Sequence, residues 1–287
     1  MAGLVVIREG ESLLFECGEG TQRQMMRYGA SFALSDIFFT HFHADHYLGL
    51  IGLVRTLGLQ GRTEPMRFFG PKGAKRNLGA AMAMGMERTT FPWEIIEVEA
   101  GDTLARGDYE IRTWPCEHGG GAIGYALVEH DRLGRFDPDR ARELGVPEGP
   151  LWGKLQRNQS VTLEDGTVVT PETIVGLPRS GRKLVYTGDT RPCAATIAAA
   201  AGADLLIHEA TFAEEEAERA RETLHSTAKE AAEVARAAGA RKLALTHLSA
   251  RYSRDPSPLL VEAREIFPGT VIAKDGLEID IPYRDDS

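Results

Sequence analysis

Asp36-Ile37-Phe38-Phe39-Thr40-His41-Phe42-His43-Ala44-Asp45-His46 is the stretch on which the fold turns. Its first four residues read as a buried strand, and four metal-ligating side chains follow within six positions, His41, His43, Asp45 and His46. A loop at a strand end can offer one pair of side chains to one ion and the next pair to a second, and imidazole nitrogen with carboxylate oxygen suits zinc. A merely solvated histidine-rich loop would leave five of the eight histidines in the chain without a reason.

A binuclear site needs further ligands, and outward from this loop there are three candidates, each at the end of a strand-like run. His118 follows Tyr109 to Trp114 and precedes Gly119 to Gly121, where backbone can come close to an ion. Asp189 follows Leu184 to Tyr186, where a carboxylate can bridge two ions, and His247 ends Leu243 to Thr246. A single strand-end His or Asp is ordinarily a cap or a satisfied polar group. Three of them in this order make that reading hard to sustain.

The surrounding pattern is α/β. Strand-like runs at 4–7, 13–15, 37–39, 68–69, 95–98 and 109–114 are interleaved with helical stretches near 19–28, 47–58 and 72–85. In the second half, runs at 184–187, 205–207 and 243–246 alternate with Ala-rich helical segments near 192–201 and 226–238, then a helix over 258–267 and two closing strands. Two β-rich halves with helices between and after them predict layered sheets with helices outside, an αββα sandwich. From about 131 to 162 Gly and Pro recur too often for an ordinary connection, and Leu144, Leu151, Trp152 and Leu155 oppose complete disorder; a protruding insertion is expected.

Composition sets outer bounds. The chain has 287 residues, 43% hydrophobic and 26% charged, enough for a large core. No run approaches the roughly 20 apolar residues of a membrane span, and the start lacks a charged leader before an apolar segment, so a cytoplasmic location without membrane attachment is expected. Cys17, Cys116 and Cys193 have no CxxC spacing and read as small hydrophobes rather than a disulfide or zinc-ribbon set. Met82, Met84 and Met86 read as helix packing or dimer surface. A net charge of -9 argues weakly against a polyanionic partner, but from Arg55 to Arg76 six basic residues face one acidic residue, while Glu214, Glu215, Glu216 and Glu218 concentrate acidity on an expected Ala-rich helix.

His41-x-His43-x-Asp45-His46 resembles the signature of the metallo-β-lactamase superfamily. Further strings narrow the likeness to the ribonuclease Z family of tRNA 3′-processing endonucleases: Leu14 to Gln22, Cys116-Glu117-His118-Gly119, Tyr186 to Pro192, His208-Glu209-Ala210-Thr211-Phe212, His225-Ser226-Thr227 and Thr246 to Tyr252. The resemblance covers almost the whole chain. It implies one zinc held by His41, His43 and His118, another by Asp45, His46 and His247, and Asp189 bridging, with manganese or iron as alternatives. It implies Asp45 as proton acceptor and His225, oriented by Glu209, as the acid for the leaving 3′ oxygen; the competing role for His225 is capping the helix that begins at Ser226-Thr227. His208 and His130 are expected to be a core or surface histidine.

The family resemblance further implies a homodimer acting on precursor tRNA, cut 3′ of the discriminator region to leave a 3′-OH on the tRNA and a 5′-phosphate on the trailer. The insertion, with Gly149-Pro150-Leu151-Trp152-Gly153-Lys154-Leu155, resembles the family's exosite arm. The family's opening strand, with its Leu-Gly-Thr-Gly loop and the Pro/Lys/Arg/Asn loop after it, has no counterpart before Leu4, so a sheet short of one edge strand is expected. Other superfamily hydrolases acting on small phosphodiesters, lactones or thioesters share the metal ligands but do not need the arm. A di-iron redox enzyme usually has Glu where His43 stands, and a non-catalytic RNA-binding module would not need a complete ligand set.

Overall fold

Short runs of β-branched and aromatic residues with alternating burial give the chain its strands. The computed structural model describes residues 2–84 and 88–284. It divides into two compact units, Met1–Leu127 with Lys183–Asp280, and Val128–Arg182 with Ile281–Ser287.

The first unit holds a five-stranded sheet in the order β1 (Leu4–Arg8), β2 (Glu11–Phe15), β3 (Leu34–Phe38), β4 (Met66–Gly70) and β5 (Trp93–Glu97). β1 runs antiparallel to β2, and β2 to β5 are parallel. Alternation along these strands separates two faces. Leu14, Ile37 and Phe68 join one core cluster with residues of α1 (Thr21–Tyr28), α3 (Leu50–Leu59) and α4 (Ala74–Met82); the short α2 (Ala44–Tyr47) precedes α3. Phe15 and Phe38 stack at 5.0 Å on the other face.

That other face meets a second sheet. Its strands in chain order are β6 (Thr103–Ala105), β7 (Tyr109–Pro115) and β8 (Ile123–Glu129), and then, after the ribbon β9 (Val161–Thr162) and β10 (Val168–Val169), β11 (Lys183–Tyr186), β12 (Leu205–Glu209), β13 (Leu243–Thr246) and β14 (Thr270–Ile272). The spatial order is β14-β13-β12-β11-β8-β7-β6, with β11 to β14 parallel. Tyr125 on β8 lies edge-on to Phe15 and Phe38 at 5.8 and 5.3 Å, and Tyr186 on β11 meets Phe15 at 6.1 Å, so the sheets pack through an aromatic layer. Beyond α5 (Pro138–Glu143) and α6 (Pro150–Gln156), the helices α7 (Ala194–Ala199), α8 (Ala217–Glu222), α9 (Ala228–Ala237) and α10 (Ser257–Ile266) follow. Of these, α7 packs on β7, α9 on β12 and β13, and α10 on β14, which completes the αββα order. Midway along β3 the buried Asp36 takes two hydrogen bonds from Arg67, at 2.7 and 2.8 Å, and another from Arg106.

The second unit is folded around its own small core of Ala141, Val146, Leu155, Val161, Val169 and Ile174, with Phe136, Leu144, Leu151 and Trp152 against it. Its stem is closed by paired chain ends, Arg132 with Arg179 and Phe136 with Val175. It therefore extends past both ends of 131–162. Two other local expectations differ. Only β14 closes the chain: among the described residues 273–284 form no strand, and the segment carries a turn at Asp275-Gly276 and a proline at 282. Glu214 to Glu216 form a 3-10 turn before α8 rather than one helix. Met82 is buried and Met84 exposed; Met86 lies outside the described residues.

Candidate metal centre

Parallel strands deliver their C-terminal ends to one edge of an open sheet, where side chains can converge on a ligand. The loops leaving β3, β7, β11 and β13 carry His41, His43, Asp45 and His46, then His118, Asp189 and His247. All seven come together.

The donor atoms form two groups that share one oxygen. In the first, His43 Nδ1 lies 3.0 Å from His41 Nε2 and 3.2 Å from His118 Nε2, and Asp189 Oδ2 is 3.6 and 3.9 Å from His41 and His118. In the second, His247 Nε2 is 3.2 Å from Asp45 Oδ2 and 3.4 Å from His46 Nε2, and the same Asp189 Oδ2 is 3.3 and 3.4 Å from His46 and His247. Four tetrahedral donors at about 2.0–2.1 Å from a cation stand roughly 3.3–3.4 Å from each other, so both groups fit a small tetrahedral ion. Asp189 Oδ1 is buried and has no hydrogen-bond partner, as suits a carboxylate whose other charge balance is a cation.

The ring orientations are fixed from behind. His118 Nδ1 donates to Leu224 O at 2.8 Å, His41 Nδ1 meets Thr40 Oγ1 at 3.0 Å, and His247 Nδ1 meets Thr211 Oγ1 at 3.0 Å. Each contact leaves Nε2 for the ion. Five non-glycine residues among those described have positive φ, and three of them, Glu16, Leu224 and His247, stand here. Backbone strain of about 1–3 kcal/mol per residue is held where packing over-determines it. Glycines allow the same crowding: a Cβ on Gly18 would lie 2.2 Å from Asp45 O, and one on Gly188 would lie 2.5 Å from Thr40 Oγ1.

Electrostatics agree with a cation site. Burial pushes the His41 imidazole down to about 2, with His46 adding to the shift. Burial opposes charge on His46 too, but the carboxylates of Glu16 and Asp189 outweigh it and raise His46 to about 11. The hydrogen bond with His247 holds Asp45 well below the usual carboxylate range. Burial would raise Asp189, yet His247 and His46 hold it far down as well. Asp45 and Asp189 thus stay ionised, His41 stays neutral and ready to ligate, and His46 holds a proton that a dication would displace.

Glu209 and His225 complete the expected set. Glu209 is fully buried at the end of β12; its Oε1 accepts from Thr190 N at 3.0 Å and from His225 Nδ1 at 2.8 Å, and its Oε2 accepts from Thr211 Oγ1 at 2.8 Å and Ser226 N at 3.1 Å. A ring nitrogen of His225 lies within 4.8 Å of Asp189 and His247 donors. The cap of α9 is Thr227, in a reciprocal box with Glu230, so His225 is not the cap. His208 is a core histidine, fully buried, and His130 is exposed. Cys17 and Cys116 are buried, and Cys193 is partly so.

One residue of the site carried no assigned role in the sequence. Glu16, fully buried, accepts from Thr40 N at 3.0 Å and from the Thr40 hydroxyl, and its Oε1 lies 3.5 Å from His46 Nδ1. The only signal that could have found it was an acidic residue at a strand end within the string Leu14 to Gln22.

The description "Beta-lactamase superfamily domain" matches residues 170–248, which contain Asp189, Glu209, His225 and His247. A Ribonuclease Z of Gemmatimonas aurantiaca is 59% identical over 98% of this chain and 90% of its own length. A Ribonuclease Z of Haloferax volcanii is 52% identical over 99% of the chain and 90% of its own. The crystal structure of human tRNase Z, short form, superposes with a TM-score of 0.69 at 25% identity, covering 98% of this chain and 92% of that one.

Proposed function

The chain belongs to the ribonuclease Z family of metallo-β-lactamase-fold hydrolases, and on that premise we propose that it is a zinc-dependent endoribonuclease removing the 3′ trailer from precursor tRNA. The observation that carries the reading is the shared Asp189 Oδ2 between two sets of imidazole and carboxylate donors, with His225 beside both. His41, His43 and His118 would hold one zinc and Asp45, His46 and His247 the other, with Asp189 common to both. When bound, the two ions lower the pKa of an attacking water and stabilise charge on the phosphoryl oxygens.

The remaining steps fall to the protein's own groups. Asp45, with 42% of its side chain exposed, takes the proton of the attacking water. The 3′ oxygen leaves as an alkoxide that needs a proton. His225, as the doubly protonated imidazolium, supplies it from Nε2, while the Glu209 carboxylate accepts a hydrogen bond from Nδ1–H and orients the ring. The tRNA keeps a 3′-OH and the trailer a 5′-phosphate. We assign tRNA gripping to the second unit, and propose a homodimer as the family resemblance implies. No helix among the described residues is long and apolar enough to cross a membrane, and a tRNA substrate goes with a cytoplasmic location.

The test is cleavage of a 3′-extended precursor tRNA with the cut mapped, with and without EDTA, beside metal analysis of the purified protein. Activity that survives chelation, or a cut elsewhere in the transcript, overturns the reading. His247→Ala and Asp189→Ala should lose zinc and activity together. His225→Ala should keep zinc and cut about 10²–10⁴-fold more slowly, the usual worth of a general acid.

A further inference from the structure

Arg191 follows Asp189 by two residues, in the loop after β11, and its side chain turns toward the loop that carries His225. Nη1 donates to His225 O at 2.7 Å and to Glu230 Oε2 at 2.7 Å, and Nη2 donates to Glu230 Oε1. The Arg191 and Glu230 side chains are 16% and 17% exposed, so the pair is largely withdrawn from solvent, where a bidentate guanidinium contact is strong and directional. The Arg191 backbone N–H donates to Glu117 O at 2.9 Å, which ties the same residue to the loop of His118.

His225 is therefore held at three points. Its ring is fixed by Glu209, its N–H by Ala220 O at 2.8 Å, and its carbonyl by Arg191. The residue before it, Leu224, has φ 59, a conformation costly for a branched side chain, and Leu224 O accepts from the ligand His118. Without the guanidinium, the His225 carbonyl would lose this donor, and of the two side-chain ties between the Asp189 and His225 loops only that of Ser226 Oγ to Thr190 O at 2.6 Å, which does not touch the carbonyl, would remain.

We propose that Arg191 is a positioning residue for the leaving-group acid: by clamping the His225 carbonyl to Glu230 it sets the imidazole at the distance from the metal centre that proton delivery requires. The proposal rests on the assignment of His225 as the acid. Displacements of the order of 1 Å can cost about 10²-fold in rate, which sets the expected size of the effect.

The experiment compares two substrates on the zinc-loaded full-length enzyme: precursor tRNA, whose alkoxide leaving group needs a proton, and bis(p-nitrophenyl) phosphate, whose phenolate does not. Arg191→Met should lower kcat on precursor tRNA by about 10²-fold at unchanged KM and bound zinc, with the loss on the ester at least about tenfold smaller. His225→Ala should give the same split, and Arg191→Met with His225→Ala should be no worse than His225→Ala alone. Thr227→Ala, which removes the cap of α9 without touching Arg191, should lower Tm yet keep the wild-type ratio of the two activities. Equal losses on both substrates for Arg191→Met, or additive losses in the double variant, overturn the role of Arg191. His225→Ala cutting precursor tRNA at the wild-type rate overturns the acid assignment instead.

Discussion

Glu16 is a buried carboxylate in a strained backbone conformation whose Oε1 accepts twice from Thr40, while the ligand His46 stands 3.5 Å away. A carboxylate behind a ligating imidazole fixes the ring and raises its basicity, and losing one typically costs about 10–100-fold in metal affinity, so Glu16→Gln should weaken zinc by that factor. Chelator competition measures it; an unchanged affinity would confine Glu16 to bracing Thr40. The same cluster predicts a pH effect. His46 is raised to about 11, so at pH 7 its imidazole carries a proton that a bound zinc would displace, and His247 is shifted upward as well. Zinc uptake should release protons, read by calorimetry in buffers of different ionisation enthalpy, and affinity should fall as pH falls. The cluster of candidate ligands was legible because each is a His or Asp at the end of a strand-like run. Glu16 was not, because its role depends on residues 16, 40 and 46 meeting in space, which neither spacing nor periodicity records.

Among the elements, those with long apolar periodicity were readable and those of two or three residues were not. β6, β9 and β10 are too short for alternation to stand out, and β14 alone closes the chain where two strands were expected. The start of α9 was expected at Ser226-Thr227, and there Thr227 forms a full capping box with Glu230. Because Thr227 Oγ1 accepts from Glu230 N at 3.1 Å, Thr227→Ala should cost about 1 kcal/mol, seen as a lower midpoint in chemical denaturation. Gly18 is a different kind of element-level constraint. Cys17 N donates to His46 O at 2.7 Å and Gly49 N to Cys17 O at 2.8 Å, so the chain after β2 is laced to the ligand loop. A methyl on Gly18 meets the Asp45 carbonyl, which is backbone and cannot rotate away. Gly18→Ala should therefore destabilise by roughly 1–3 kcal/mol and lower metal content with it, whereas full metal content would mean the loop can shift.

At the scale of the molecule, the charge of -9 and the basic run from Arg55 to Arg76 pull in opposite directions. The structure reduces that run: Arg67 is bound to buried Asp36, and Arg62 bends back to Glu64 O and Pro65 O. Within the second unit Arg140 pairs with Glu143, and Arg142 with Asp139 and Glu148, while Lys154 and Arg157 are exposed on and just after α6. If this unit grips RNA, removing it whole is the decisive change. Cutting only 134–157 would split its core, stranding Val161, Val169 and Ile174 without Ala141 and Leu155. The stem offers a better place, since Arg132 N donates to Arg179 O at 2.8 Å and Arg179 N to Arg132 O at 2.9 Å. Replacing Leu133 to Pro178 with a short Gly-containing turn keeps that pair closed. The variant should bind precursor tRNA more weakly, and the slope of log K against log salt should fall by about 0.7–0.9 for each phosphate that the unit neutralises. Hydrolysis of bis(p-nitrophenyl) phosphate should fall far less, because every metal-centre residue lies in the other unit. Equal losses on both substrates, or an unchanged salt slope, would assign tRNA gripping elsewhere.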